Sequence, residues 1–119
     1  MSDWPRPVVA FQIQAKDLEK QKSFYSEMFD WDLEQTEGLP FLSIPAGKGP
    51  PENGIGGILS QADNSAIVIY IQVANLADSL AKAEQLGGKV TLPSTDVPNG
   101  PTIAQIEDPE GNLVGLIQM

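Results

Sequence analysis

Short apolar runs and stretches of helical spacing succeed one another in the same order twice along this chain. VVAFQIQA, Val8 to Ala15, is rich in apolar and β-branched residues and predicts a strand. LEKQKSFYSEMF follows directly, with Leu18, Gln21 or Lys22, Tyr25 and Met28 or Phe29 at helical spacing. Asp17 precedes it, where a short acid can accept from the first free backbone N–H groups of a helix. Further short strands are expected at Asp32 to Thr36, Phe41 to Pro45 and Ile55 to Ser60, separated by Gly38 to Pro40 and an irregular loop, Gly47 to Gly54. The pattern then restarts. Ala66 to Val73 predicts a strand, Asn75 a helix cap, and Leu76, Leu80, Ala83 and Leu86 one apolar stripe that Gly87 or Gly88 ends. Strands at Lys89 to Leu92, Thr102 to Glu107 and Leu113 to Gln118 follow, with turns at Val97 to Pro101 and Asp108 to Asn112.

A shift of 58 residues lays Ile13 on Ile71, Gln14 on Gln72, Asp17 on Asn75, Leu18 on Leu76 and Met28 on Leu86. The same shift lays PEN at Pro51 to Asn53 on PEG at Pro109 to Gly111, and Gly57 on Gly115. Strand, cap, helix stripe and turn thus keep one offset, the mark of an internal repeat. The reading is an α+β fold of two βαβββ modules with mixed sheets, residues 7–61 and 65–119, in a single domain of 119 residues. Each module is too small to close a large core alone.

Composition narrows the chemistry. The chain has no histidine and no cysteine, which excludes disulfide scaffolds, thiolate nucleophiles, Ser-His-Asp catalysis and any site needing imidazole or thiolate ligands. Sixteen acids against seven bases give a net charge of −9, a field that disfavours nucleic acid and anionic membranes and leaves a neutral or cationic small molecule as partner. MSDWPRPVVAF lacks a long apolar segment behind a basic start, and no run approaches a membrane span, so the expectation is a soluble, cytoplasmic protein. GKGPPENGIGG lacks the GK-S/T ending and following helix of a phosphate loop. Glu107 to Glu110 reads as a turn, where short acids bond their own backbone.

Three segments in this order resemble the vicinal oxygen chelate superfamily, which includes glyoxalase-type lyases, extradiol dioxygenases and bleomycin resistance proteins. They are DLEKQKSFYSEMFDW (Asp17 to Trp31), Tyr70 to Val73 followed by LADSLAKAEQLGGKV, and EDPEGNLVGLIQ (Glu107 to Gln118). The resemblance covers nearly the whole chain. It implies that each module curls its sheet, that two modules enclose a cleft, and that relatives hold a metal there through His or Glu on the first and last strands of each module. Matched to this sequence, those ligand positions fall on Ala10, Gly57, Val68 and Gly115, none of which binds a metal through its side chain. The resemblance therefore implies a member without a metal site, and no cofactor is expected.

Strand alternation places Ala10, Gln12 and Gln14 on one face and Phe11, Ile13 and Ala15 on the helix-packed face. It likewise groups Val68, Tyr70 and Gln72 on one face, and Ile69, Ile71 and Val73 against the second helix. Gln12, Gln14, Tyr70 and Gln72 are the candidate polar contacts for a ligand, and Trp31 and Phe41 the candidate stacking surfaces. The functional expectation is a metal-independent small-molecule binder of the glyoxalase/bleomycin resistance type. The alternatives are a metal-dependent glyoxalase-like lyase or dioxygenase, and a metal-free enzyme using Tyr25, Tyr70 or a carboxylate as acid or base. The resemblance also implies a homodimer.

Overall fold

Burial of alternate residues on short strands, with one helix to cover each sheet, organises the chain into two repeats of βαβββ. The computed structural model describes residues 5–35, 39–47, 54–98 and 100–118. Module 1 comprises β1 (Val8–Ala15), α1 (Leu18–Phe29), β2 (Glu34–Gln35), β3 (Phe41–Ile44) and β4 (Gly57–Gln61). Module 2 comprises β5 (Ala66–Gln72), α2 (Leu76–Gln85), β6 (Lys89–Asp96), β7 (Thr102–Glu107) and β8 (Leu113–Gln118). By contacts the chain divides into Ala10–Val68 and Ile69–Met119 with Met1–Val9, so each division falls inside a strand, β1 or β5.

In module 1 the strands run in the order β2-β3-β4-β1. β1 is parallel to β4, and the other pairs are antiparallel. Module 2 repeats this as β5-β8-β7-β6, with β5 parallel to β8. A parallel pair needs a crossover, and in each module the helix and the intervening strands supply it. β6 extends beyond the expected Leu92 to Asp96 and passes through Pro93. Proline is tolerated there because β6 lies at the end of the strand order, and two register shifts along its pairing with β7 absorb the irregularity.

Both helices begin as their caps dictate. The Asp17 carboxylate accepts from the Lys20 N–H at 3.1 Å, and the Asn75 side-chain oxygen accepts from the Asp78 N–H at 2.9 Å. A cap of this kind contributes about 1 kcal/mol. A second fastening recurs at the end of each module's last strand. Gln61 donates to the Lys16 carbonyl, and the Leu76 N–H donates to the Gln118 side-chain oxygen at 2.6 Å. These glutamines tie the final strand to the connection that leads into the helix.

The module 1 core joins Ile13, Ala15, Leu33, Leu42, Ile44 and Leu59, with Phe11, Leu18, Tyr25 and Trp31 packed against it. In module 2, Leu76, Ala104 and Leu116 form the corresponding centre, with Ile71, Val73, Leu80 and Ile106 around it. The helix stripes are shorter than their spacing suggests. Met28 and Phe29, in the last turn of α1, and Leu86, just past the end of α2 at Gln85, are exposed.

Two expectations change. On β5 the buried side chains are Val68 and Tyr70, at 0% and 5% exposure, whereas Ile67 and Ile69 are 66% and 43% exposed. Ile69 therefore does not join the α2-packed core, which begins at Ile71. The second change concerns the repeat. Phe11 pairs with Gly57 in module 1, while Tyr70 pairs with Gly115 in module 2. With β1 and β5 related by 58 residues, β4 and β8 are therefore related by 57, matching Leu59 to Leu116 and Gln61 to Gln118. The constant offset conceals compensating length changes. The segment between β3 and β4 is long and that between β7 and β8 short, while β6 outgrows β2. The PEN segment and most of the Gly47 to Gly54 loop lie outside the described residues, as does Thr36.

Candidate functional site

The sheet of each module has one face toward its helix and one away from it, and the pairings identify which side chains share the latter. In module 1, Glu34 pairs with Ser43, Ser43 with Ile58 and Ile58 with Gln12, forming one row across four strands. A neighbouring row joins Phe41, Ser60 and Gln14. These positions alternate with the core residues Leu42, Ile44, Leu59 and Ile13, so both rows lie on the face away from α1. Gln12 donates through its side-chain amide to the Ser60 hydroxyl at 2.9 Å, linking the rows. All the residues of these two rows except Glu34 are half-buried, a setting in which a ligand can gain both apolar contact and hydrogen bonds.

A concavity of about 150 Å³ opens beside the first row, lined by Asp32, Glu34, Ser43 and Pro45. Two of the four lining residues are acidic and none is basic, which suits a neutral or cationic group better than an anion. Of the expected contacts, Gln12, Gln14 and Phe41 therefore share one face. Trp31 stands elsewhere. Its ring stacks on Tyr25 at 5.3 Å between centroids and lies 6.0 Å from Phe11, within the aromatic packing on the α1 side.

In module 2 the corresponding row is Leu92, Gln105, Gly115 and Tyr70. Gln72 pairs with Ile117 in the next row. The Gln105 side-chain amide donates to the Tyr70 hydroxyl oxygen at 2.9 Å. Burial pushes the proton affinity of this hydroxyl above the ordinary tyrosine range, and the Gln105 hydrogen bond offsets part of the rise. Tyr70 consequently stays neutral at physiological pH. A side chain on Gly115 would run into the Tyr70 ring, so the ring occupies the space above that residue.

The pairings also revise the ligand positions inferred from the resemblance. Gly57 faces the α1 side, since a side chain there would meet the Phe11 carbonyl and ring. The module 1 counterpart of Gly115 is Ile58. Ala10, Ile58, Val68 and Gly115 offer no donor atom in their side chains, and Tyr70 fills the space beside the last of them. The residues present do not fit the family's metal. Among the described residues, no group of three or more His, Cys, Asp or Glu is placed to hold an ion.

Ser43, Ser60, Glu34 and Gln105 belong to these faces without having been singled out from the sequence. Alternation within FLSI and GILSQ already puts Ser43 and Ser60 opposite the apolar positions of those strands. TIAQIE carries the same signal for Gln105, since alternation sets it with Ile103 and Glu107, opposite Ala104 and Ile106. The acidic turn is structural: Asp108 accepts from the side chain and backbone of Asn112 and from the Glu110 N–H. These bonds, led by that of the Asn112 side chain, hold its carboxyl below the usual carboxylate range.

Known structures share this architecture. A variant of Streptomyces coelicolor methylmalonyl-CoA epimerase in complex with 2-nitronate-propionyl-CoA is 14% identical, with a TM-score of 0.63 over 95% of this chain and 94% of the epimerase. A glyoxalase/bleomycin resistance protein/dioxygenase superfamily member from Vibrio splendidus 12B01 is 13% identical, with a TM-score of 0.65 over 97% of this chain and all of the other. The Mn(II)-bound glyoxalase from Novosphingobium aromaticivorans is 22% identical, with a TM-score of 0.63 over 95% of this chain but 39% of its own length. At these identities the likeness is one of fold. No curated protein matches the chain. The family model for the Glyoxalase/Bleomycin resistance protein/Dioxygenase superfamily matches residues 8–116, nearly the full length, and the chain belongs to that superfamily.

Proposed function

We propose that this protein binds a neutral or cationic small molecule without a metal, on the face of module 1 that points away from α1. The observation that carries this reading is the assembly of Gln12, Gln14, Phe41 and Ser60 on one half-buried face, beside the concavity at Asp32, Glu34 and Ser43. Phe41 supplies a flat apolar surface, the glutamines supply neutral donors and acceptors, and the two carboxylates favour a positive group. Gln72 is the corresponding polar position on module 2. The epimerase and glyoxalase relatives handle a CoA ester and Mn(II) in their own structures, and the fold in this reading keeps a small-molecule surface without the chelating side chains.

The reading includes a cytoplasmic homodimer. No helix among the described residues is long and apolar enough to cross a membrane, and the exposed Phe24, Met28 and Phe29 on α1 give a second subunit an apolar surface to cover. Sedimentation at micromolar concentration is expected to give twice the chain mass.

The test of function is a thermal-shift screen of neutral and cationic compounds in EDTA, followed by calorimetry on those that stabilise the protein. At least one compound is expected to bind the wild type and to lose affinity about tenfold when Gln12→Ala removes one hydrogen-bonding group. Absence of binding by every compound at millimolar concentration contradicts the proposal.

A further inference from the structure

The exposed faces of the two helices differ where the repeat makes them comparable. On α1, Lys20, Phe24, Glu27 and Met28 form one stripe at helical spacing, and all four are exposed. The 58-residue offset lays Asp78, Lys82, Gln85 and Leu86 on these positions, so a lysine of α2 stands where α1 carries Phe24. An equivalent helix therefore completes its module without an exposed aromatic ring, and the fold does not require Phe24 to be apolar. Phe24 is 54% exposed and Met28 62%. The Phe24 ring is nevertheless held in place: it meets Tyr25 edge-on at 5.2 Å between centroids, and Tyr25 stacks on Trp31 against the module 1 core. An aromatic surface that is already ordered loses little freedom when it is covered.

We propose that α1 is the surface through which two copies of this chain associate, antiparallel about a twofold axis at Phe24, with Lys20 of each copy paired to the partner's Glu27. The proposal rests on the homodimer of the reading above and assigns its interface. In an antiparallel pair of helices centred on Phe24, each Phe24 meets the partner's Phe24, and each Lys20 comes level with the partner's Met28, beside the partner's Glu27. Lys20 and Glu27 stand about 10 Å apart along one helix, so their opposite charges complement each other across two copies better than within one chain. Symmetry supplies the pair twice, on either side of the Phe24 rings, which gives an apolar centre with a charged rim. An anionic lipid surface fits this stripe less well, because Glu27 lies within it and the chain carries a net charge of −9.

The experiment measures the dissociation constant of the dimer of the full chain by sedimentation equilibrium. Phe24→Glu is expected to raise it by about tenfold or more, and Lys20→Glu and Glu27→Lys each by about tenfold, since symmetry counts every contact twice. The double variant Lys20→Glu/Glu27→Lys is expected to return to within about twofold of wild type. Lys82→Glu, at the matching place on α2, should leave the constant unchanged. All these positions are exposed, and an unchanged dichroism spectrum verifies that each variant folds. A general charge effect gives a different pattern. On a chain of net charge −9, Lys20→Glu would weaken association and Glu27→Lys would strengthen it, and that result overturns the pairing. A dimer indifferent to Phe24→Glu overturns the α1 interface and leaves the homodimer standing, whereas a monomeric wild type, whether or not α1 then binds phosphatidylglycerol vesicles, overturns both. Ligand binding by module 1 is decided separately, by the compound screen.

Discussion

The two modules repeat the same strand order and the same helix caps, yet the faces they turn away from their helices differ in kind. Module 1 presents Ser43, Ile58 and Gln12 in a half-buried row, whereas module 2 presents Gln105, Gly115 and a buried Tyr70. Duplicated backbone therefore does not duplicate a site. One face keeps half-buried polar side chains, and the other carries a buried phenol. The change is local to a strand pair, since the helix-facing cores retain apolar residues in both modules.

The largest expected effect separates the two glycines. Gly57→Ala drives a methyl group against the Phe11 carbonyl, part of the β1–β4 pairing, and should cost about 3 kcal/mol in urea unfolding. Gly115→Ala meets the Tyr70 side chain, which can yield more easily, and should cost about 1–2 kcal/mol. Tyr70→Val should relieve that cost, with a coupling above about 0.5 kcal/mol in the double-mutant cycle. Equal costs for the two glycines, with no coupling to Tyr70, would break the contrast between the faces.

The next test addresses what the modules share. Asp17→Ala and Asn75→Ala should each lose about 1 kcal/mol, because each removes one N-cap hydrogen bond of the same geometry. A loss at one position alone would mean that the two helices are not held alike.

The smallest effect is one of pH, at the turn before β8. Hydrogen bonding depresses the folded-state affinity of Asp108 for its proton, so its contribution is present above the unfolded carboxylate pKa of about 3.9 and disappears as pH falls through the folded value. The stability advantage of wild type over Asp108→Asn should accordingly shrink in chemical unfolding as pH is lowered from 6 to about 2. A constant advantage over that range would show that the turn's charge contributes nothing to it.

Much of this fold was readable from residue pattern. The β1, α1, β7 and β8 bounds follow from β-branched runs, the Asp17 cap and the acidic turn, and the two helices announce themselves by caps that have clear chemistry. The register of β4 was not readable, because the 58-residue overlap of Gly57 with Gly115 is indistinguishable from a 57-residue one without strand pairing. A single residue moves a side chain to the other face, which is why Ile58 and not Gly57 stands opposite Gln12. For the candidate site, alternation grouped Gln12 and Gln14, whereas the placement of Trp31 among Tyr25, Phe29 and Phe11 depends on how the chain turns after α1. Tyr70 was identifiable as a polar-tipped residue on β5, but its burial depends on Gly115 and Gln105, which are distant in sequence.

The most direct test of metal-independent binding is a calorimetric titration of the tightest compound from the screen, performed once in EDTA and once with saturating Mn(II). One site per chain with the same affinity in both conditions is the predicted result. Binding that appears only with Mn(II), or tightens by tenfold or more when it is added, would contradict the account.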